Sequence, residues 1–294
     1  MDAAPIPGGM TRRLPFSGLC KSRLQKRLAR PPRSCNPQGS MLYCGGLRRG
    51  IGADTVESAA LPNNPHEIYE VKDGAMKNIK RKLGAAFAVL AVLFTAAVRT
   101  VDVSAIGPEG TAVGFSHVNQ AAAYAVGVHL QWYAVTQVIG MQVLLLAAVF
   151  ALAGLVQLVR RRSLWKVDPE LLALACLYGA VFVIYVLFEV VIINYRPIIM
   201  PGELHPEASF PSSHTMLACV ILGSAMLLVK RYIPARRTRL VLRILCGVLM
   251  AVVVLGRLYS GVHWLTDICG GILYGAALLF LFAGALDGIA ARKS

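Results

Sequence analysis

Acidic side chains are scarce in this 294-residue chain: 15 Asp and Glu stand against 30 Lys and Arg, for a formal net charge of +15. Charged residues of either sign make up only 15%, against roughly 25% in an ordinary soluble domain. With 56% hydrophobic residues and a mean hydropathy of +0.59, that shortage excludes an ordinary soluble domain and indicates a polytopic membrane protein. Paired cysteine spacings are absent too. Cys176, Cys219, Cys246 and Cys269 sit in apolar runs and read as small core residues, while Cys20, Cys35 and Cys44 fall in the N-terminal segment. No disulfide framework or zinc site follows. Lys and Arg are missing altogether from Thr100 to Gln131, and the loops 194–212 and 257–263 contain only Arg196 and Arg257.

The basic residues gather elsewhere, in four clusters that each flank an apolar run. They comprise Lys77, Lys80, Arg81 and Lys82; Arg160, Arg161, Arg162 and Lys166; Lys230, Arg231, Arg236, Arg237 and Arg239; and Arg292 with Lys293. Cytoplasmic retention of basic loops accounts for all four, so nucleic acid is not an expected partner. Six apolar runs, at 83–101, 132–159, 171–193, 213–233, 240–256 and 264–286, are predicted to be helices, because backbone groups in lipid must be satisfied within their own segment. The expected fold class is therefore all-α, a polytopic membrane helix bundle of about six transmembrane helices. Gln137, Gln142 and Gln157 interrupt the second run and read as interhelical hydrogen-bonding residues.

Residues 1–75 are rich in Arg, Pro, Gly and Ser and show no apolar period, so a disordered basic N-terminal segment is expected there, with the membrane domain at 76–294. Met76 followed by Lys77, Lys80, Arg81 and Lys82 has the look of a bacterial membrane-protein start. Residues 1–75 are then an upstream misreading, or else a true tail resting on anionic lipid. The run at 83–101 is bounded by Arg99 and Asp102 and is short enough to read alternatively as a cleaved signal sequence. With both termini cytoplasmic, the loops poor in Lys and Arg lie on the extracytoplasmic side of a cell membrane.

Three polar segments interrupt this apolar background: Asn194-Tyr195-Arg196-Pro197, Pro211-Ser212-Ser213-His214-Thr215, and the stretch from Gly256-Arg257 to His263 and Asp267. His263 and Asp267 are four apart, so on a helix Asp267 can hold one ring nitrogen and leave the other free to attack an electrophile. Arg196 and Arg257 are permanent cations whose guanidinium forks suit phosphate oxygens. Pro211, Ser212 and Ser213 open a helix whose unpaired N–H groups and dipole favour an anion.

Together these segments resemble the type 2 phosphatidic acid phosphatase family, part of a membrane lipid phosphatase and vanadium haloperoxidase-like superfamily. The likeness covers roughly residues 76–290 and rests on Arg196-Pro197, Pro211-Ser212 with His214, and Arg257, His263 and Asp267 at the family's spacings. It implies an integral membrane phosphatase that hydrolyses a lipid phosphate or diphosphate monoester without metal or other cofactor. In that family pattern His263 is the catalytic nucleophile that forms a phosphohistidine, Asp267 orients it, and His214 protonates the leaving alkoxide and then activates water. Arg196, Arg257, Ser212 and Ser213 are the implied phosphate-binding residues. Phosphatidic acid, phosphatidylglycerol phosphate and undecaprenyl diphosphate are all substrates compatible with the family.

Three positions depart from the family: Ser213 replaces Gly, Gly256 replaces Ser, and Glu189 replaces Lys. The last inverts a charge. Two unit charges about 4 Å apart interact by about 4 kcal/mol at an effective dielectric near 20, so an ionised Glu189 would repel a phosphate dianion. Pairing of Glu189 with Arg196 or Arg257 is the leading expectation; protonation, impaired turnover and a contact with a headgroup amine are the others. Two further functions compete with hydrolysis. One is a lipid-phosphate binder or transporter that keeps the site without turnover, against which the intact His214, His263 and Asp267 stand. The other is a metal site drawn from His205, His214, His263 and Asp267, with Glu203 and Glu207 nearby.

Overall fold

The computed structural model of the protein describes residues 65–293. Among them are seven α-helices: α1 (Pro65–Thr100), α2 (Ser116–Val126), α3 (Leu130–Arg161), α4 (Pro169–Val190), α5 (Ser213–Tyr232), α6 (Arg236–Tyr259) and α7 (Leu265–Ala291). Six are long and apolar enough to cross a membrane: α1 from Asn78, and α3 to α7. These are the six runs read from the sequence, each within a few residues. The segment 1–75, expected to be disordered, falls mostly outside the described residues; α1 is described from Pro65. A second difference is α2, a short helix within the stretch that lacks Lys and Arg.

Helix α5 is the axis of the bundle. Most of its apolar stretch is buried, whereas very little of those of α3 and α6 is. One flank of α5 packs Met216, Val220 and Leu228 against Leu171, Leu174 and Val181 of α4 and Phe282 of α7. Its other flank packs Ala218, Ile221 and Leu222 against Val143 of α3 and Val253 of α6. Lipid supplies no hydrophobic drive between helices, so close approach must come from small residues. Gly271 and Gly275 of α7 supply it against α5, where an added Cβ would sit 2.8 Å from the Ser212 carbonyl oxygen and 2.8 Å from Cys219 Cβ, respectively.

Antiparallel connections gather the basic clusters at one end of the bundle. There Glu170 accepts from Lys293 Nζ at 2.8 Å, Arg161 pairs with Asp168 at 3.0 Å, and Lys80 pairs with Asp287 at 2.7 Å. The opposite end carries α2, the loop 194–212 and the turn from α6 into α7, and with them every motif residue. That loop folds on itself through an antiparallel bridge between Tyr195 and Ala208, with Arg196 N–H donating to Glu207 O at 2.9 Å and Ser209 N–H to Asn194 O at 2.9 Å.

Candidate active site

His263 lies in the turn between α6 and α7, buried with Asp267 directly below it in the first turn of α7. Its Nδ1 is 3.7 Å from Asp267 Oδ2, an ion-pair separation rather than a hydrogen bond. Asp267 is itself fixed: Oδ2 accepts the Trp264 N–H at 2.9 Å, and Oδ1 accepts Asn194 Nδ2 at 3.2 Å. The carboxylate thus caps α7 and faces the imidazole at once. Burial holds the His263 ring below the usual imidazole range; Asp267 opposes this, and the charges of Arg196 and Arg257 add to it. Neither ring nitrogen has a hydrogen-bond partner.

A cavity of about 320 Å³ opens beside this ring, and His214, Arg196, Ser213, Tyr133, Gln137 and Glu189 are among the residues that line it with His263. His214 reaches it from the first turn of α5. On α3, Gly140 makes room for that side chain, since a Cβ there would meet His214 Cδ2 at 2.8 Å. Arg196 enters from the folded loop, its Nε 3.0 Å from Glu207 Oε2. Arg257 approaches from the last turn of α6 and is fully buried behind the wall. Its Nη2 donates to Gln137 Oε1 at 2.7 Å, its Cζ lies 4.7 Å from the Tyr133 ring centroid, and Nε and Nη1 have no partner. A second cavity of about 440 Å³ shares Gln137, Tyr185, Ser213, His214 and Met216 with the first and is otherwise walled by residues such as Leu144, Val181, Phe182 and Ile221.

The structure therefore brings together His263, His214, Asp267, Arg196, Arg257 and Ser213 at one site. Ser212 is the N-cap residue of α5; its backbone N–H is engaged by the Asp267 carbonyl at 2.9 Å, while its buried Oγ has no partner. That N–H is not available to an anion. Ser213, on the cavity wall, is. The expected pairing of Glu189 with an arginine is also corrected: Glu207 holds Arg196 and Gln137 holds Arg257, while Glu189 is exposed at the rim. Gly256 has a steric reason, because a serine Cβ there would meet Thr136 Cγ2 at 2.6 Å. Thr136 cannot easily yield, since its hydroxyl donates to the Trp132 and Tyr133 carbonyls at 3.0 and 2.9 Å.

His205 does not join the alternative metal set; its Nδ1 lies 3.2 Å from Glu109 Oε1, away from the cavity wall. No group of three or more His, Cys, Asp or Glu side chains arranged for an ion occurs among the described residues. Sequence reasoning missed Tyr133 and Gly140, which belong to no motif, and took Gln137 only as an interhelical hydrogen-bonding residue. It missed Asn119 as well. This fully buried side chain on α2 donates to Thr266 Oγ1 at 2.9 Å and accepts the Thr266 N–H at 3.2 Å, bracing the start of α7 beside Asp267.

The family model of the PAP2 superfamily matches residues 116–287. Phosphatidylglycerophosphatase B of Bacillus subtilis (strain 168) is 38% identical over 90 residues, which cover 30% of this chain and 44% of that relative. The chain thus matches less than half the length of this curated relative. A solved structure described as the first transmembrane PAP2 type phosphatidylglycerolphosphate phosphatase from Bacillus subtilis superposes with a TM-score of 0.51 at 21% identity, over 72% of this chain and 98% of that one. At such identity the likeness is one of fold.

Proposed function

This chain belongs to the PAP2 superfamily, and from that premise we propose that it is an integral membrane phosphatase hydrolysing a lipid phosphate or diphosphate monoester through a phosphohistidine on His263. The observation that carries the reading is a buried imidazole, backed by Asp267, at a cavity lined by Arg196 and a second histidine, with Arg257 buried behind its wall. Because His263 is held below its usual range, the ring is neutral at neutral pH. Its Nδ1 proton faces Asp267 and the Nε2 lone pair attacks phosphorus. As the N–P bond forms, the P–O bond to the lipid breaks and His214 gives its proton to the departing oxygen. In the second step His214 takes a proton from water, the water oxygen attacks phosphorus, the N–P bond breaks, and phosphate leaves a regenerated His263.

Arg196, Arg257 and the N-terminal amides of α5 stabilise the charge spread over the phosphoryl oxygens, each such donor being worth about 10² to 10³ in rate. All the residues with a role in both steps are supplied by the chain, and the proposed reaction is metal-independent. The lipid tail has a place too. The aliphatic cavity between α3, α4 and α5 joins the phosphate cavity at His214 and is bounded by helices whose Leu144 and Phe182 face the bilayer, so an acyl or prenyl chain can extend from the site into lipid. The distribution of Lys and Arg supports an active site on the extracytoplasmic face.

Phosphatidylglycerol phosphate, suggested by the relative's name, is the first substrate to test, with phosphatidic acid and undecaprenyl diphosphate beside it. Purified protein in detergent is expected to release phosphate from at least one of them, equally in the presence of EDTA, and His263→Ala is expected to release none. Turnover by His263→Ala at the wild-type rate would refute the mechanism. Loss of wild-type turnover in EDTA, restored by zinc or magnesium, would replace it with a metal-dependent one.

A further inference from the structure

Tyr133, Gln137 and Gly140 fall on one face of α3 at helical spacing, and all three meet the site although none belongs to the motif segments. Resting on the phosphatase reading above, we infer that Gln137 is a positioning residue: it holds Arg257 through a neutral acceptor, so that the guanidinium is fixed in place while its whole charge stays available to the phosphoryl group.

Arg257 is fully buried, and no ion pair involves it among the described residues. A buried cation without a counter-charge is costly, and proteins usually meet that cost with a carboxylate. Here the 2.7 Å acceptor is an amide oxygen, and the Tyr133 ring at 4.7 Å offers further attraction without a formal charge. The other arginine is held differently, by Glu207 at 3.0 Å. Glu207 sits on a folded loop with its side chain partly in solvent, where screening weakens the pair and substrate can compete for it. At the buried position a carboxylate would be barely screened and would cancel the charge that phosphate needs. An apolar side chain of the same size would leave Nη2 unpaired and the guanidinium free to turn. Glutamine avoids both faults, and its amide must present Oε1 to Arg257, since only that end accepts.

Charge and packing roles predict opposite orders for two substitutions. Gln137→Glu keeps shape and acceptor, so a packing residue would tolerate it better than Gln137→Met. If neutrality matters, Gln137→Glu is the more damaging. It is expected to melt at or above the wild-type temperature in detergent, yet to lose about 10²-fold in kcat/KM, chiefly through KM, and a similar factor in inhibition by orthovanadate. Gln137→Met, which keeps the charge and loses the anchor, is expected to lose about tenfold, mainly in kcat. Wild-type kcat/KM and vanadate inhibition in a folded Gln137→Glu, or a smaller loss there than in Gln137→Met, would overturn the inference. Should Gln137→Glu fail to fold, Gln137→Met decides alone, and wild-type kcat/KM in it would overturn the inference. The thermal shift on adding orthovanadate, measured without turnover, separates this idea from the phosphatase reading. If wild-type protein releases phosphate from no lipid, that reading fails, while a weakened vanadate shift in Gln137→Glu still supports the positioning role and an undiminished one still overturns it.

Discussion

Replacing Gly140 by alanine tests how tightly the bundle places His214. The added methyl would lie 2.8 Å from His214 Cδ2 and 3.4 Å from Nε2. Carbon atoms settle about 3.5 to 4.0 Å apart, so the ring must retreat by about 0.7 to 1.2 Å if the helices keep their spacing. They have reason to keep it, since Val143 on the next turn of α3 is packed against Ala218, Ile221 and Leu222 of α5. The imidazole is the part able to move, and a misplacement of about 1 Å costs about 10²-fold in rate, or about 2.7 kcal/mol of transition-state stabilisation. Overpacking costs about 1 to 3 kcal/mol of stability where nothing yields; a ring that swings aside keeps the loss at the low end. The expected result in detergent is therefore a kcat near one hundredth of wild type with a small fall in Tm. Because both changes act through one side chain, Gly140→Ala should add nothing to His214→Ala. Wild-type kcat in Gly140→Ala, or a full multiplicative loss in the double variant, would refute the reasoning.

Glu189→Gln is expected to keep its turnover and to bind a phosphate monoester at most about fivefold more tightly, because an exposed carboxylate about 4 Å from a charge acts through water with about 1 kcal/mol; steady-state kinetics that instead match the dead His263→Ala variant would make Glu189 catalytic. Acidification should destabilise the fold through His263. Its folded-state affinity for a proton is depressed, so the unfolded chain takes up the proton first. The stability this group contributes is complete above its unfolded value of about 6.5 and is lost as pH falls below it. Thermal melts between neutral and mildly acid pH should show this decline, and a slope unchanged in His263→Ala would count against it. For topology, cysteines placed one at a time at the exposed Leu204 and Thr238 in a cysteine-free background should react with an impermeant reagent from outside and only after permeabilisation, respectively; the reverse labelling would invert the proposed orientation. Ser209 in the same loop is buried and would make a poor probe.

Hydropathy determined the six spans and the end of the bundle at which the motifs gather, because a lipid solvent leaves a helix as the main way to satisfy an apolar backbone run. A separation of four put Asp267 within reach of His263, but not on one helix as expected: His263 lies in the turn before the Trp264 N-cap of α7, with its Nδ1 3.7 Å from Asp267 Oδ2. Arg196, His214 and Arg257 were legible as residue types that suit phosphate, through motif order rather than through any local geometry. What only the tertiary structure decided were the partners that come from other helices. Glu207 rather than Glu189 holds Arg196 because the loop 194–212 folds back through Tyr195 and Ala208. Ser212 loses its backbone N–H as an anion donor because α7 brings the Asp267 carbonyl to it. Gln137, Tyr133 and Gly140 join the site because α3 packs across α5 and α6, a relation between segments about one hundred residues apart that no helical period within α3 encodes. Even the absence of serine at position 256 is a statement about Thr136 on another helix. Local periodicity fixes which face a residue occupies, whereas side-chain packing between helices fixes what that face meets.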